Sequence, residues 1–399
     1  MKIGFIAEHY PPTEGGIATS AQRVARELVR LGLSVRVICF DHSRPITSHD
    51  YVIEQYDEGV QVARVGPFFL KQPRLPVDHV PEKTKASLRR RMFEQMVSLL
   101  RPQKVELILS FYLINAGYLG TFASRELNLP LIAGVRGNDI GRNIFNVERF
   151  AVVQWIVEGA HHVACVNEYL RRRVLLAFPR VADRISVIPN SVQLSHVIIP
   201  VAEARARVAK ATGWDGSELR LVFIGTLREK KGAAVLATAL LSMGSRSAIR
   251  LLVVGPDLGH VEMAQCGDAW MQLKAQGRVF VTGRVPRDAV ASWAAGCDVV
   301  VMPSLDDGMA NGLLEGMALG LCPLATTVFA DIVRSGENGV LVPPGEPDAL
   351  ACAMSQLAQD RERIKRGGAA ARRTVEKWTP AQEAGAYLEL FRRVLQRNG

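Results

Sequence analysis

Asp307 and Glu315 stand eight positions apart, with no charged residue between them, in "SLDDGMANGLLEGMALGLCPLAT", Ser304–Thr326. The first acid lies in a Gly-containing loop that follows an apolar run. The second is flanked by Leu313, Leu314, Met317, Ala318 and Leu319. An acid in such company either answers the dipole of a helix start or faces a ligand. It is not a capping-box acid, because Gly312 stands three positions before it. A basic counterpart lies in "VFIGTLREKKG", Val222–Gly232, where Arg228, Lys230 and Lys231 crowd four positions. On an arbitrary loop such a run is a solvated face. At the carboxyl end of a buried strand it suits a phosphate, because ligands of open parallel sheets bind there. A third loop, "AEHYPPTEGGIATS", places Gly15 and Gly16 at a helix start, where N–H groups and the dipole favour a phosphate. It lacks G-x-G-x-x-G, so a dinucleotide is not indicated.

These loops need a scaffold, and the apolar runs supply one. Strands are predicted at Ile3–Ala7, Ser34–Phe40, Val105–Ser110, Leu131–Val135, His162–Asn167 and Ile185–Ile188. Helical patterns fall between most of them, at about Ile17–Leu31, Glu82–Leu100, Ala116–Leu127, Val147–Gly159 and Glu168–Phe178. Residues 42–80 are less regular and read as loops or short strands. The second half repeats the alternation, with strands at Leu219–Ile224, Arg250–Val254, Val279–Thr282, Val299–Met302 and Cys322–Ala325. Its helices fall near Ala233–Leu241, Gln265–Ala275, Arg287–Ala295, Gly312–Leu319 and Pro347–Leu357. Apolar strands alternating with helices imply parallel sheets covered on both faces. We therefore expect two Rossmann-like domains, 1–192 and 193–378, facing across a cleft. The amphipathic end, 379–399, is expected as a helix that crosses back to the first domain.

Composition narrows the partners. Residues 1–190 hold 25 Lys and Arg against 18 Asp and Glu, and the rest holds 24 against 21. A basic first half suits an anionic partner, but zinc-finger spacing, RNP aromatics and a basic zipper are all missing, so no nucleic acid is expected. The six cysteines form no C-x-x-C pair, which argues against zinc and a disulfide framework and fits a reducing, cytoplasmic setting. No apolar run is long enough to span a bilayer, and the start, interrupted by Glu8 and His9, does not read as a signal peptide. The segment Pro81–Lys104 reads as a basic amphipathic helix. Leu88, Met92, Met96 and Leu99 share one side, and Lys85, Arg89, Arg90 and Arg91 another. It is either an ordinary surface helix or a contact to an anionic membrane.

The motifs together resemble the family 4 retaining glycosyltransferases, which have the GT-B fold. The family frame E-G-F-G-x-x-x-L-E-A-M-A-x-G is similar to D-G-M-A-N-G-L-L-E-G-M-A-L-G, Asp307–Gly320. Its G-R-L-x-x-x-K-G corresponds to Gly225–Gly232, its I-P-N-G-V-D to Ile188–Gln193, and its P-x-x-x-G-G to Pro12–Gly16. "GENGVLVPPGEP", Gly336–Pro347, matches the family's usual ending, and the resemblance covers nearly the whole chain. Among the departures from the pattern, three bear on the chemistry: Thr226 replaces an Arg, Asp307 replaces a Glu, and Arg136 of "VRGNDI" stands where a His is common.

The resemblance implies transfer of a sugar from a nucleoside-diphosphate sugar to an acceptor hydroxyl, in polysaccharide or glycolipid synthesis. It implies no cofactor beyond that donor. Glu315 would read the ribose, Asp307 would contact the sugar, and Lys231 would hold the diphosphate. Gly15, Gly16, Gly225, Thr226 and Arg228 complete the expected donor site, with backbone from Gly308 and Met309 through Ala310, Asn311, Gly312 and Leu313. Lys231, Asp307 and Arg136 are the expected catalytic residues. Arg136, Asn138 and Asp139 are expected to meet a saccharide or lipid-linked acceptor. No D-x-D occurs, so a metal-bridged diphosphate is not expected. A nucleotide-sugar epimerase of the same fold and a non-catalytic nucleotide-sugar-binding protein are the alternatives.

Overall fold

The structure, a computed structural model, describes residues 1–13, 15–41, 43–46, 48–68, 81–141, 143–192, 200–245 and 247–398. The chain forms two compact units. One contains Met1–Asn190 and Pro380–Gly399, the other Ser191–Thr379. Of the stretch 188–200, where the two blocks are expected to meet, residues 193–199 lie outside the described residues, as do residues 69–80 of the Pro-rich stretch 66–81.

The first unit is built on β1 (Lys2–Ala7), β2 (Ser34–Phe40), β3 (Tyr51–Asp57), β4 (Val60–Gly66), β5 (Leu107–Phe111), β6 (Leu131–Val135), β7 (His162–Cys165) and β8 (Ile185–Val187). Their order across the sheet is β3-β4-β2-β1-β5-β6-β7-β8. Every pairing is parallel except β3 with β4, an antiparallel hairpin in the region read as loops or short strands. The chain builds outward from β1 through β2 and then restarts with β5 on the other side of β1. The topological switch point therefore lies between β1 and β5, which pair from Ile3↔Leu107 to Ala7↔Phe111.

The helix Pro380–Asn398 closes this unit. Tyr387, Leu390, Phe391 and Val394 join one buried cluster with Phe5 of β1 and with Ala21, Val24 and Leu28 of helix Gly16–Arg30. Arg23 Nε donates to Glu383 Oε2 at 3.1 Å within that contact, and both side chains are almost fully buried. The same period-3.6 pattern that made the segment amphipathic thus spends its apolar side on the first unit's core. Helix Glu82–Leu100 buries Leu88, Met92, Met96, Val97 and Leu100. Its cations carry acidic partners: Lys85 and Arg89 on Glu82, Arg90 on Glu94 and Arg91 on Asp50. Among the described residues, no helix is long and apolar enough to cross a membrane.

The second unit is a fully parallel sheet of β9 (Leu219–Ile224), β10 (Ile249–Val254), β11 (Val279–Val281), β12 (Val299–Met302), β13 (Cys322–Thr326) and β14 (Val340–Val342). The order is β11-β10-β9-β12-β13-β14, so its switch point lies between β9 and β12. Helices Val201–Thr212 and Arg361–Val375, which the apolar pattern did not announce, complete it.

Candidate functional site

The loops after β9 and β12 flank the second unit's switch point, and they are tied to each other. Leu305 N–H donates to the Lys230 carbonyl at 2.9 Å. Gly232, with φ +76°, lies so close to the Pro303 carbonyl that an added Cβ would sit 2.1 Å from its oxygen. Only glycine tolerates both that dihedral and that approach. The tie sets Lys231 against Asp307, and the two form an ion pair.

Asp307 is 8% exposed. Burial pushes its carboxyl up, but the charges of Lys231 and Lys230, the Lys231 hydrogen bond and the Gly308 N–H outweigh burial and hold it below the ordinary aspartate range. It is a carboxylate at neutral pH. Lys230 carries the converse burden, since burial lowers its pKa. Gly225 and Arg228 are exposed, and Thr226 is half-buried.

Helix Asn311–Ala318 follows directly. Asn311 is its first helical residue and Ala310 its N-cap, and no side-chain hydrogen bond caps the helix. Ala310 supplies only its carbonyl, which accepts from the N–H groups of Leu313 and Leu314. A helix start without a side-chain cap favours an anion. The glycines of the motif serve packing here. A Cβ on Gly312 would lie 2.3 Å from the Ile224 carbonyl oxygen, and one on Gly316 would strike Val300. The helix therefore rests directly on β9 and β12. Glu315 projects from it, a quarter exposed, and accepts from Arg287 Nη2 at 3.2 Å.

In the first unit, Gly15 (φ +126°) is the N-cap of helix Gly16–Arg30, which also has no side-chain cap. Arg136 and Asp139 follow β6, and both are engaged. The Arg136 guanidinium lies 3.9 Å from the centre of the Phe111 ring, donates to Asn190 Oδ1, and reaches Tyr387 Oη at 3.3 Å. Asp139 is fully buried. Its Oδ2 accepts from Arg136 N–H at 2.8 Å, and its Oδ1 from Gly137 N–H at 2.6 Å. Burial raises the Asp139 carboxyl to about 6, against the pull of those N–H groups. The Asn138 side chain lies outside the described residues.

Sequence reasoning missed a second group beside these. Glu8 follows β1, and its Oε1 accepts from Asn115 Nδ2 at 2.9 Å across a separation of 107 residues. No local pattern could have announced that pair, because only the adjacency of β1 and β5 brings it together.

The first half of the chain, residues 14–196, matches the family model described as Glycosyltransferase Family 4. Residues 218–360 match the model described as Glycosyl transferases group 1. A putative teichuronic acid biosynthesis glycosyltransferase of Bacillus subtilis is 24% identical over 376 residues, covering 90% of each chain. A D-inositol 3-phosphate glycosyltransferase of Nocardia farcinica is 28% identical over 377 residues, covering 89% of this chain and 79% of its own. Among solved structures, Anabaena HepE in complex with UDP-glucose superposes with a TM-score of 0.73 at 18% identity, covering 98% of this chain and 99% of that one.

Proposed function

From the premise that the chain belongs to the family 4, group 1 glycosyltransferases, we propose that it moves a sugar from a nucleoside-diphosphate sugar to an acceptor hydroxyl, with retention and without a metal bridging the diphosphate. One observation carries the reading. The second unit's switch point gathers a lysine, a buried carboxylate and a helix start without a side-chain cap, with Glu315 one turn further along that helix. The lysine and the helix start match a diphosphate, the carboxylate a sugar hydroxyl, and Glu315 a ribose. The UDP-glucose held by the Anabaena neighbour supports the same donor class.

Negative charge on the departing diphosphate is the main obstacle, and pre-aimed cations and N–H groups lower it. In the free protein Lys231 is already paired with Asp307. An arriving diphosphate shares that lysine and strips some of its charge from the carboxylate. The freed Asp307 oxygen then accepts from a sugar hydroxyl. Arg228, exposed on the same loop, stands in for the Arg that Thr226 replaces. The departing phosphate oxygen takes the acceptor's proton, so the pair need not act as acid and base.

Acceptor choice falls to the first unit, where Arg136 and Asp139 hold the loop after β6 in shape around Asn138. The teichuronic acid relative supports a role in cell-envelope polysaccharide synthesis. Attraction of helix Glu82–Leu100 to acidic lipid belongs to the same proposal and rests on its cluster of cations. Co-sedimentation with vesicles that is no stronger for acidic than for neutral lipid rejects that part.

A thermal-shift screen against common nucleotide sugars tests the core of the reading, because a ligand that binds only the folded state raises its stability. At least one nucleotide sugar should stabilise the protein, and Lys231→Ala should abolish the shift. Donor loss without any acceptor would instead identify an epimerase or a hydrolase.

A further inference from the structure

The first unit has its own switch point, between β1 and β5, and the polar groups there have no part in the donor chemistry. Glu8 leaves the carboxyl end of β1 and is 7% exposed. Asn115 holds its Oε1. Its Oε2 is buried and has no hydrogen-bond partner among the described residues. A buried acceptor left unsatisfied is destabilising, so the arrangement calls for a reason.

The backbone around it is also specialised. Tyr112, the residue after β5, has φ +137°, a region that residues with a Cβ rarely enter. The chain then makes a π-helical turn, Leu113–Gly117, and Asn115 sits in that turn. Strained dihedrals and π-turns gather at functional sites and cost stability elsewhere. Here both serve to aim one amide at one carboxyl.

The charges facing Glu8 come from two directions. Asp139, after β6, makes the point less welcoming to an anion, whereas Arg149, from helix Val147–Gly159, favours one. Arg149 is already committed, since its Nη1 donates to Asn143 Oδ1 at 3.1 Å, and Asn143 in turn donates to the Asp139 carbonyl. Burial, reinforced by the Asp139 charge, pushes the Glu8 carboxyl up to about 7, against the pull of Asn115. A carboxyl poised there is uncharged in a large share of molecules near neutral pH. In that form it can donate as well as accept.

We propose that Glu8 is a specificity residue for the acceptor: Asn115 fixes Oε1, and Oε2 makes a hydrogen bond with an uncharged hydroxyl of a polyol, in preference to a phosphate group. The inference rests on the transferase reading above, because it supplies that reading with an acceptor contact. Oε2 is the carboxyl oxygen that Asn115 leaves without a hydrogen bond, so it is the atom left to meet a hydroxyl. A hydroxyl needs both a donor and an acceptor partner, and a neutral carboxyl offers both. A phosphate needs donors and cations, and here an acid stands beside Glu8 while the cation that reaches it, Arg149, already donates to Asn143.

Carboxyl carbon NMR on protein labelled at glutamate tests it directly, with UDP at saturation. The Glu8 resonance is the one missing from the isosteric variant Glu8→Gln, with Glu8→Asp as a second assignment should the first fail to fold. We expect that resonance to shift on titration with myo-inositol or methyl α-D-glucopyranoside and to stay in place with inorganic phosphate. Silence toward both polyols, or a shift with phosphate, overturns the proposal. UDP affinity in Glu8→Ala should stay within about two-fold of the unaltered protein, and a larger loss also counts against an acceptor role. If the unaltered protein binds none of UDP, GDP and ADP, the nucleotide-sugar reading fails instead. The same polyol and phosphate titrations, run without nucleotide, then judge Glu8 separately.

Discussion

The two units repeat one plan, a parallel sheet whose switch point is flanked by two loops, yet each treats the acid at that point in an opposite way. Asp307 is as buried as Glu8, but two lysines keep it ionised below its ordinary range. Glu8 has the amide and backbone N–H of Asn115, a weaker pull from Arg149 and another acid nearby, and burial carries its carboxyl up to about 7. Burial alone therefore does not decide protonation. The neighbours do, and they match the ligand proposed for each unit: an anion where cations gather, a neutral hydroxyl where an acid is left short of partners. The units also differ in how they are finished. The second closes within 191–379, whereas the first needs the helix Pro380–Asn398.

The largest test addresses that last difference. Phe391→Ala removes a fully buried ring from the first unit's core and should cost roughly 3–5 kcal/mol. Calorimetry should show the transition of the unit containing 1–190 falling while that of 191–379 holds. Equal falls in both would break the comparison.

Next, Lys231→Ala should cut transfer by about two to three orders of magnitude, measured as turnover of whichever nucleotide sugar stabilises the protein. It also strands a buried carboxylate, at a cost of roughly 2 kcal/mol. That is less than for a fully buried pair, because Lys231 is partly exposed and Lys230 remains. Adding Asp307→Asn should recover most of that stability and none of the turnover. Near-normal turnover in the single variant would remove the lysine from the donor site.

The opposite acid gives a pH signature. The Glu8 carboxyl rises from 4.5 to about 7 on folding. The folded state holds that proton more tightly, so its contribution is intact below about pH 4.5 and is lost as the pH climbs through 7. The loss amounts to about 3 kcal/mol. Glu8→Gln should therefore be close to neutral near pH 4 and stabilising by about that amount near pH 8, as read from urea unfolding. A pH-independent effect would mean that Glu8 is not held as described.

The smallest effect sharpens the second unit alone. Arg287 is well exposed where it meets Glu315, so Arg287→Ala should change stability by no more than about 0.5 kcal/mol. Nucleotide affinity should move more than stability does, because Arg287 no longer competes with the ribose for Glu315.

Much of this was readable from residue order. Strands buried on both faces, such as "KIGFIA" and "LRLVFI", announce themselves as apolar runs, and the loops at their ends locate the donor residues. The failures have physical causes. Strand β3, "YVIEQYD", is an exposed edge strand that shows no alternation, with Val52 and Ile53 side by side and both exposed, so it reads only as loop or short strand. Helix Arg361–Val375 hides behind seven charged residues and two adjacent glycines. The motif glycine Gly312 reads as a place for backbone to approach ligand, whereas its missing Cβ makes room for the Ile224 carbonyl. The Glu8–Asn115 pair was invisible because it depends on which strands become neighbours.

The contact of Arg23 with Glu383 spans 360 positions. On the ribosome, the first unit's strands emerge long before the side chains that cover one of their faces. Until Tyr387, Leu390 and Phe391 appear, that face stays open to chaperones and to other nascent chains. A message broken anywhere in the second unit's coding region would yield a product whose first sheet is made but cannot be sealed, and such a product is marked for removal by its own exposed core. Sealing of the first unit thus waits on the helix Pro380–Asn398.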